Sequence, residues 1–94
     1  VDIDWEFPGS CGNTCDWSEA DAVNFSELLA EFRSQLNGVA AEVVAAGGNE
    51  PEYLLTIAAP AGAANYVPLE DELGDIQSPL DWINVMTYDF YGAW

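Results

Sequence analysis

The 94-residue sequence predicts an α/β fold built on a parallel sheet. Strand-like and helix-like stretches alternate in the order strand, long helix, strand, short helix, strand. The central strand, "YLLTIAAP", is almost wholly apolar, the composition of a strand buried on both faces of a parallel sheet. Between the first two strands, Phe25, Leu28, Leu29, Phe32, Leu36, Val39 and Val43 recur at spacings of three and four, which marks one buried stripe on a long helix.

Residues 1–6, "VDIDWE", alternate with period two and predict the first strand. "FPGSCGNTCDW" is rich in turn formers and predicts a loop. "SEAD" supplies a helix start, with Ser18 as N-cap and acids in the first turn facing the positive end of the helix dipole. Gly47-Gly48 ends the helix, because glycine accepts the left-handed C-cap conformation. After the second strand, residues 60–69 predict a loop, "LEDELGDIQ" at most a short helix, and Glu70, Asp71 and Glu72 a solvated face. "LDWINVMTYDF" predicts the last strand, with Asn84, Met86 and Tyr88 on one face and Ile83, Val85 and Thr87 on the other. Right-handed crossovers would join the parallel strands. Three such strands do not cover both faces of their sheet, so the chain predicts part of a larger body. A complete (β/α)8 barrel needs about 250 residues.

Half the residues are hydrophobic and 13% are aromatic, so a packed core is expected. Seventeen acids against one base, Arg33, and no His give a net charge of −16. A phosphate backbone or an anionic lipid surface finds no cations here, so nucleic acid and membrane are excluded as partners and neutral or cationic ligands favoured. The same charge suits a salt-adapted protein. The longest charge-free run, Tyr53 to Leu69, is broken by Pro60, Gly62 and Pro68 and does not read as a membrane span. Cys11 and Cys15 cannot complete a four-ligand structural zinc site without His. They are either a redox pair or, the favoured reading, a small loop disulfide of a secreted protein.

Functional groups of a parallel sheet gather at the C-terminal ends of its strands. Asp2, Asp4 and Glu6 share one face of the first strand, and Glu6 stands last, before the "FPG" turn. Residues at i and i+2 have Cα atoms roughly 6.5 Å apart at a rise of about 3.3 Å per residue, so their side chains can reach one another. Carboxylates so placed can share a proton or a hydrogen bond, and mutual repulsion is expected to keep one of the row protonated as an acid. Two other readings stand beside acid–base catalysis: a solvated acidic face, and a divalent-cation site. Tyr88 and Asp89 end the last strand, where the phenol can donate to a carbonyl and the ring can pack on a sugar, or simply sit in a core. Met86 by itself would be core filler, and Tyr91 and Trp94 are either sugar-stacking aromatics or the core of a neighbouring element.

"VDIDWEFPG" resembles the D-x-x-D-x-D-x-E signature of glycoside hydrolase family 18, the chitinases, with the first Asp of the pattern falling ahead of Val1. "NVMTYDFYGAW" resembles the family's M-x-Y-D motif on its sixth barrel strand, and "YLLTIAAPAG" its fifth strand and exit loop. The resemblance implies a partial (β/α)8 TIM barrel, roughly strands 4 to 6, with residues 1–94 forming one catalytic domain incomplete at both ends. Strands one to three, strands seven and eight, and the floor tryptophan of the eighth have no counterpart, as in a truncated segment that would be inactive alone. The resemblance further implies a substrate-assisted retaining chitinase, an exception to the two-carboxylate rule. Glu6 would be general acid and base, Asp4 would orient the substrate's acetamido group, and Asp2 would share a proton with Asp4. Tyr88 would bond the acetamido oxygen, Met86, Asp89 and Phe7 would line the site, and Trp94 would stack on a sugar. No metal or cofactor is implied. The expected partner is chitin or chito-oligosaccharide, acted on by a secreted, extracellular protein that is a monomer at full length. A chitin-binding lectin that has lost catalysis and an endo-β-N-acetylglucosaminidase of the same family are the alternatives.

Overall fold

A computed structural model of the chain describes residues 1–92, which places Trp94 outside the described residues. Three strands form one parallel sheet in the order β1-β2-β3: β1 (Asp2–Ile3), β2 (Thr56–Pro60) and β3 (Trp82–Met86). Between β1 and β2 runs α1 (Asp21–Ala45). Between β2 and β3 the chain coils through α2 (Ala63–Tyr66), a 3-10 segment (Val67–Glu72) and α3 (Leu73–Gln77).

The period-two reading of the first strand holds for its faces but not for its length. Ile3 and Trp5 turn toward α1, with Trp5 edge-on to Phe25 at 5.6 Å, so Asp2, Asp4 and Glu6 belong to the opposite face. The ladder to β2 nevertheless stops at the pair Ile3↔Ile57. The loop after β1 folds back and brings the backbone of Gly12 against the Glu6 carbonyl, beside the stretch where residues 4–6 have left the ladder. β3 likewise ends at Met86 rather than running on to Phe90. Its register partner there is Pro60, which has no N–H to extend the ladder.

The core lies between the sheet and the N-terminal half of α1, where Ala22, Phe25 and Leu29 meet Ile57, Leu69 and Ile76. The expected stripe is only half realised: Leu28 and Val39 are exposed, and Phe32, Leu36 and Val43 are partly covered. Twenty-five helical residues extend about 37 Å, whereas a five-residue strand spans about 17 Å, so the helix outruns the sheet. The sheet is also covered less than a buried parallel sheet requires. Trp82, Ile83 and Val85 of β3 are exposed, Val85 by 56%.

At its start, α1 departs from the expected cap. Ala20 occupies the N-cap position without a side-chain bond, and Ser18 works one turn earlier. Ser18 Oγ accepts from the Ala20 N–H, while the Asp21 carboxylate accepts from the Ser18 N–H, a reciprocal pairing of the capping-box kind. At the other end, Gly47 adopts φ 85°, Gly48 N–H donates to Val43 O and Gly47 N–H to Val44 O. That is a Schellman ending, and Gly47-Gly48 stops the helix as its sequence predicts. Residues 63–77 form more helix than expected. Pro68 reads as a breaker but sits in the first turn of the 3-10 segment, where a missing N–H is tolerated. Glu72 is not purely solvated either, since its Oε2 lies 3.0 Å from the hydroxyl of buried Ser26.

The lone base closes the N-terminal edge of the sheet. Arg33 Nε donates to Pro79 O at 2.8 Å, Nη1 to Tyr53 O at 2.9 Å, and Nη2 pairs with the Asp81 carboxylate. The same carboxylate accepts from the Leu55 N–H at 2.7 Å. The Leu55 N–H foremost, and then the guanidinium, hold the Asp81 carboxyl below the usual carboxylate range.

Two outcomes are expected of the full-length protein. Leu29 is 0% exposed, so Leu29→Ala should cost about 2–5 kcal/mol in denaturant unfolding. A carboxyl whose folded pKa is depressed stabilises fully above its unfolded value of about 3.9 and loses that contribution as pH falls through the folded value. Thermal melting of Asp81→Asn against pH should therefore differ from wild type at neutral pH and converge with it in strong acid.

Candidate active site

The three strands point their C-terminal ends into one open cleft of about 730 Å³, within the range of small-molecule sites. Each exit contributes a wall: Glu6, Phe7 and the loop to Asn13 after β1, residues 60–65 after β2, and Met86 with Tyr88 to Phe90 after β3. Of the residues singled out in the sequence, Glu6, Phe7, Met86, Tyr88 and Asp89 thus come together from two strands 80 residues apart in the chain. Asp89 turns the chain at φ 54°, a left-handed conformation that Asp tolerates better than most residues. The turn carries Tyr88 and Phe90 out of the sheet, leaving them 63% and 62% exposed.

Asp2 and Asp4 lie on the Glu6 face but deeper along the chain, and neither lines the cleft. Asp2 Oδ1 accepts a short hydrogen bond from the hydroxyl of Thr56, its register partner on β2, which satisfies a buried polar group. Among the described residues no three acidic or thiol side chains converge closely enough to hold a metal ion.

The loop after β1 is tied at several points. Cys11 and Cys15 are joined as a disulfide, and within it Gly12 N–H donates to Thr14 O at 2.9 Å. The Asp21 carboxylate at the head of α1 accepts from the Ser18 N–H, the Gly9 N–H and the Ser18 hydroxyl. These bonds, the Ser18 N–H foremost, outweigh the opposing effect of desolvation and lower the Asp21 pKa. The Glu6–Phe7 peptide is cis, and Gly9, at φ 73°, needs its glycine for the turn. Asn13, Asn65 and Phe90 line the cleft without having been singled out from the sequence. Their only sequence signal is position: each follows a strand end of a parallel sheet, where such loops build sites.

The family model described as glycosyl hydrolases family 18 matches residues 1–94, and the chain belongs to that family. Over 94 residues it is 43% identical to Endochitinase 1 of Metarhizium robertsii, covering 100% of this chain and 19% of that protein. Over 95 residues it is 40% identical to Chitinase A1 of Niallia circulans, of which it covers 12%. The solved catalytic domain of psychrophilic chitinase B from Arthrobacter TAD20 superposes with a TM-score of 0.79 at 33% identity, over 99% of this chain and 21% of that one. The chain therefore spans about a fifth or less of these relatives.

A Cβ on Gly12 would overlap the Glu6 carbonyl oxygen and lie 2.7 Å from its carbon, backbone atoms that cannot rotate aside. Gly12→Ala should consequently cost about 1–3 kcal/mol, the usual penalty of overpacking. Thermal unfolding of the full-length protein measures it, and an unchanged midpoint would mean that the loop does not rest on Glu6.

Proposed function

We propose that this chain is the central part of a chitinase catalytic domain, corresponding roughly to strands 4 to 6 of a (β/α)8 barrel. The protein would hydrolyse β-1,4-N-acetylglucosamine linkages by a substrate-assisted retaining mechanism. The observation that carries the reading is the meeting of Glu6 with Met86, Tyr88 and Asp89 in one cleft. Family membership and relatives named as chitinases support the substrate class.

In the first step, Glu6 donates its proton to the glycosidic oxygen as the bond from C1 to that oxygen breaks. The carbonyl oxygen of the sugar's own acetamido group attacks C1 and closes an oxazolinium ring. In the second step, the Glu6 carboxylate takes a proton from water while the water oxygen attacks C1 from the vacated side. The ring opens, the acetamido group is restored, and the anomeric configuration is retained. Asp4 orients the acetamido group and stabilises the positive charge that develops on it. Asp2, held by Thr56, supports Asp4 from the adjoining position on the strand. Tyr88 donates a hydrogen bond to the acetamido oxygen, Met86, Asp89 and Phe7 shape the surrounding wall, and Trp94 stacks on a sugar beyond the point of cleavage. None of these steps calls on a cofactor. The substrate is chitin or its oligosaccharides, met outside the cell by a secreted, monomeric enzyme.

Glu6→Gln in the full-length protein preserves shape and hydrogen-bonding capacity but removes the transferable proton. Hydrolysis of chito-oligosaccharides should fall by a factor of at least about 100, the lower end for general acid–base catalysis, while calorimetric binding persists. Undiminished turnover would remove Glu6 from this role. A wild-type protein that binds the sugars without cutting them would be a lectin instead.

A further inference from the structure

The sequence holds six asparagines, and one of them opens the tripeptide Asn24-Phe25-Ser26. Asn-x-Ser, with x other than proline, is the acceptor pattern for N-linked oligosaccharide in secreted proteins. The other asparagines lack a hydroxyl two positions on; Asn13 comes nearest, and the Cys15 that follows it is held in the disulfide. A motif this short needs a surface setting, and α1 supplies one. Asn24 is exposed, whereas Phe25 and Ser26 are buried, with 3% and 6% exposure. At about 100° per residue, Asn24 lies about 140° around the helix from Leu29, on the face turned from the sheet. Glu31 and Gln35 fall within about 20° of the same line, and both are exposed. Gln35 Nε2 donates to Glu31 Oε1 at 2.8 Å along that face, so the line running from Asn24 is polar and solvent-facing.

The cysteines agree with this setting. Cys11 and Cys15 are joined, and among the described residues no thiol is free, the state of a chain matured in an oxidising compartment. We propose that Asn24 is an N-glycosylation site, modified as the chain passes through an oxidising secretory compartment. The inference rests on the secreted location in the functional reading above and is independent of hydrolysis. The donor is an oligosaccharide carried on a lipid diphosphate. The Asn24 amide nitrogen bonds to the anomeric carbon as the bond from that carbon to the phosphate oxygen breaks. The lipid diphosphate leaves, and the nitrogen gives up one proton. The fold also sets the time of transfer, because the acceptor amide and the Ser26 hydroxyl must be offered together on an accessible chain. In folded α1, Ser26 Oγ lies 2.9 Å from Val23 O and 3.0 Å from Glu72 Oε2, and Phe25 is in the core. Transfer therefore precedes the docking of α1, and the glycan then projects outward from the finished helix.

The experiment begins with full-length protein purified from its source, from cells and culture medium alike. Mass spectrometry of the peptide spanning Asn24 should show a hexosamine-containing oligosaccharide. Treatment with an amidase that releases N-linked glycans should remove it and leave aspartate at that position. A bare Asn24 in both fractions would overturn the site. Asn24→Gln and Ser26→Ala should each abolish the added mass on that peptide, and a glycan persisting in either would overturn the assignment. Asn24→Gln changes only an exposed side chain outside the cleft, so kcat and KM for chito-oligosaccharides should stay at wild-type values. To test the timing, the full-length chain made without glycans is offered to an oligosaccharyltransferase with lipid-linked donor, either folded or reduced and unfolded. Only the unfolded chain should accept, and equal transfer to both would overturn the order of events. A glycosylated protein that hydrolyses nothing would end the chitinase reading and leave the site standing. An active protein with a bare Asn24 would do the reverse.

Discussion

The guanidinium of Arg33 joins three stretches of chain that are remote in sequence. From the middle of α1 it reaches the carbonyls of Tyr53 and Pro79, just ahead of β2 and β3, and the carboxylate of Asp81. Asp81 in turn accepts from the Leu55 N–H and donates its own N–H to Leu55 O. One charged group thus satisfies backbone acceptors at both strand entries while aligning them. A planar fork with five donors suits this task in a way that a lysine ammonium does not. In a chain of net charge −16 it is also the sole basic side chain available to draw acidic segments together.

That clamp gives the sheet two unlike edges. At the entry edge, backbone and side-chain bonds interlock helix and strands. At the exit edge, the strands release their chains into loops, and these loops carry the groups with chemistry to offer. Aligned entries matter because the register Thr56↔Trp82 through Pro60↔Met86 sets where β3 stops relative to β2. The register of β1 on β2 sets where Glu6 emerges.

Much of this was legible in the residues themselves. Alternation in "VDIDWE" separates Ile3 and Trp5 from Asp2, Asp4 and Glu6, because side-chain direction follows backbone parity whatever the length of the ladder. Gly47-Gly48 announces a helix end through conformational freedom alone. What stayed hidden depends on partners distant in the chain. The early end of β1 is set by which residues pair with β2, more than fifty positions away, and the alternation of "VDIDWE" does not encode it. Leu28 and Val39 follow the apolar period and yet remain exposed, because coverage depends on the length of the sheet beneath them. The turns through 63–77 were obscured by Pro68, whose effect depends on its place within a turn. In the cleft, Glu6, Tyr88 and Asp89 were visible as motif residues, whereas Asn13 and Asn65 acquire meaning only once three strand exits are brought side by side.

Pro60 closes β2 opposite Met86, and its nitrogen carries no N–H to give to the ladder there. A strand that ends on a proline cannot slide forward to recruit residues from the loop that follows. Insertions or replacements after Pro60 and Met86 are thereby insulated from the register of the sheet, where a slip of one residue would turn every side chain to the wrong face. The exit loops can change in length or sequence without shifting the pairing of β2 with β3. A single imino acid in this way marks the border between loops that can change and a register that cannot.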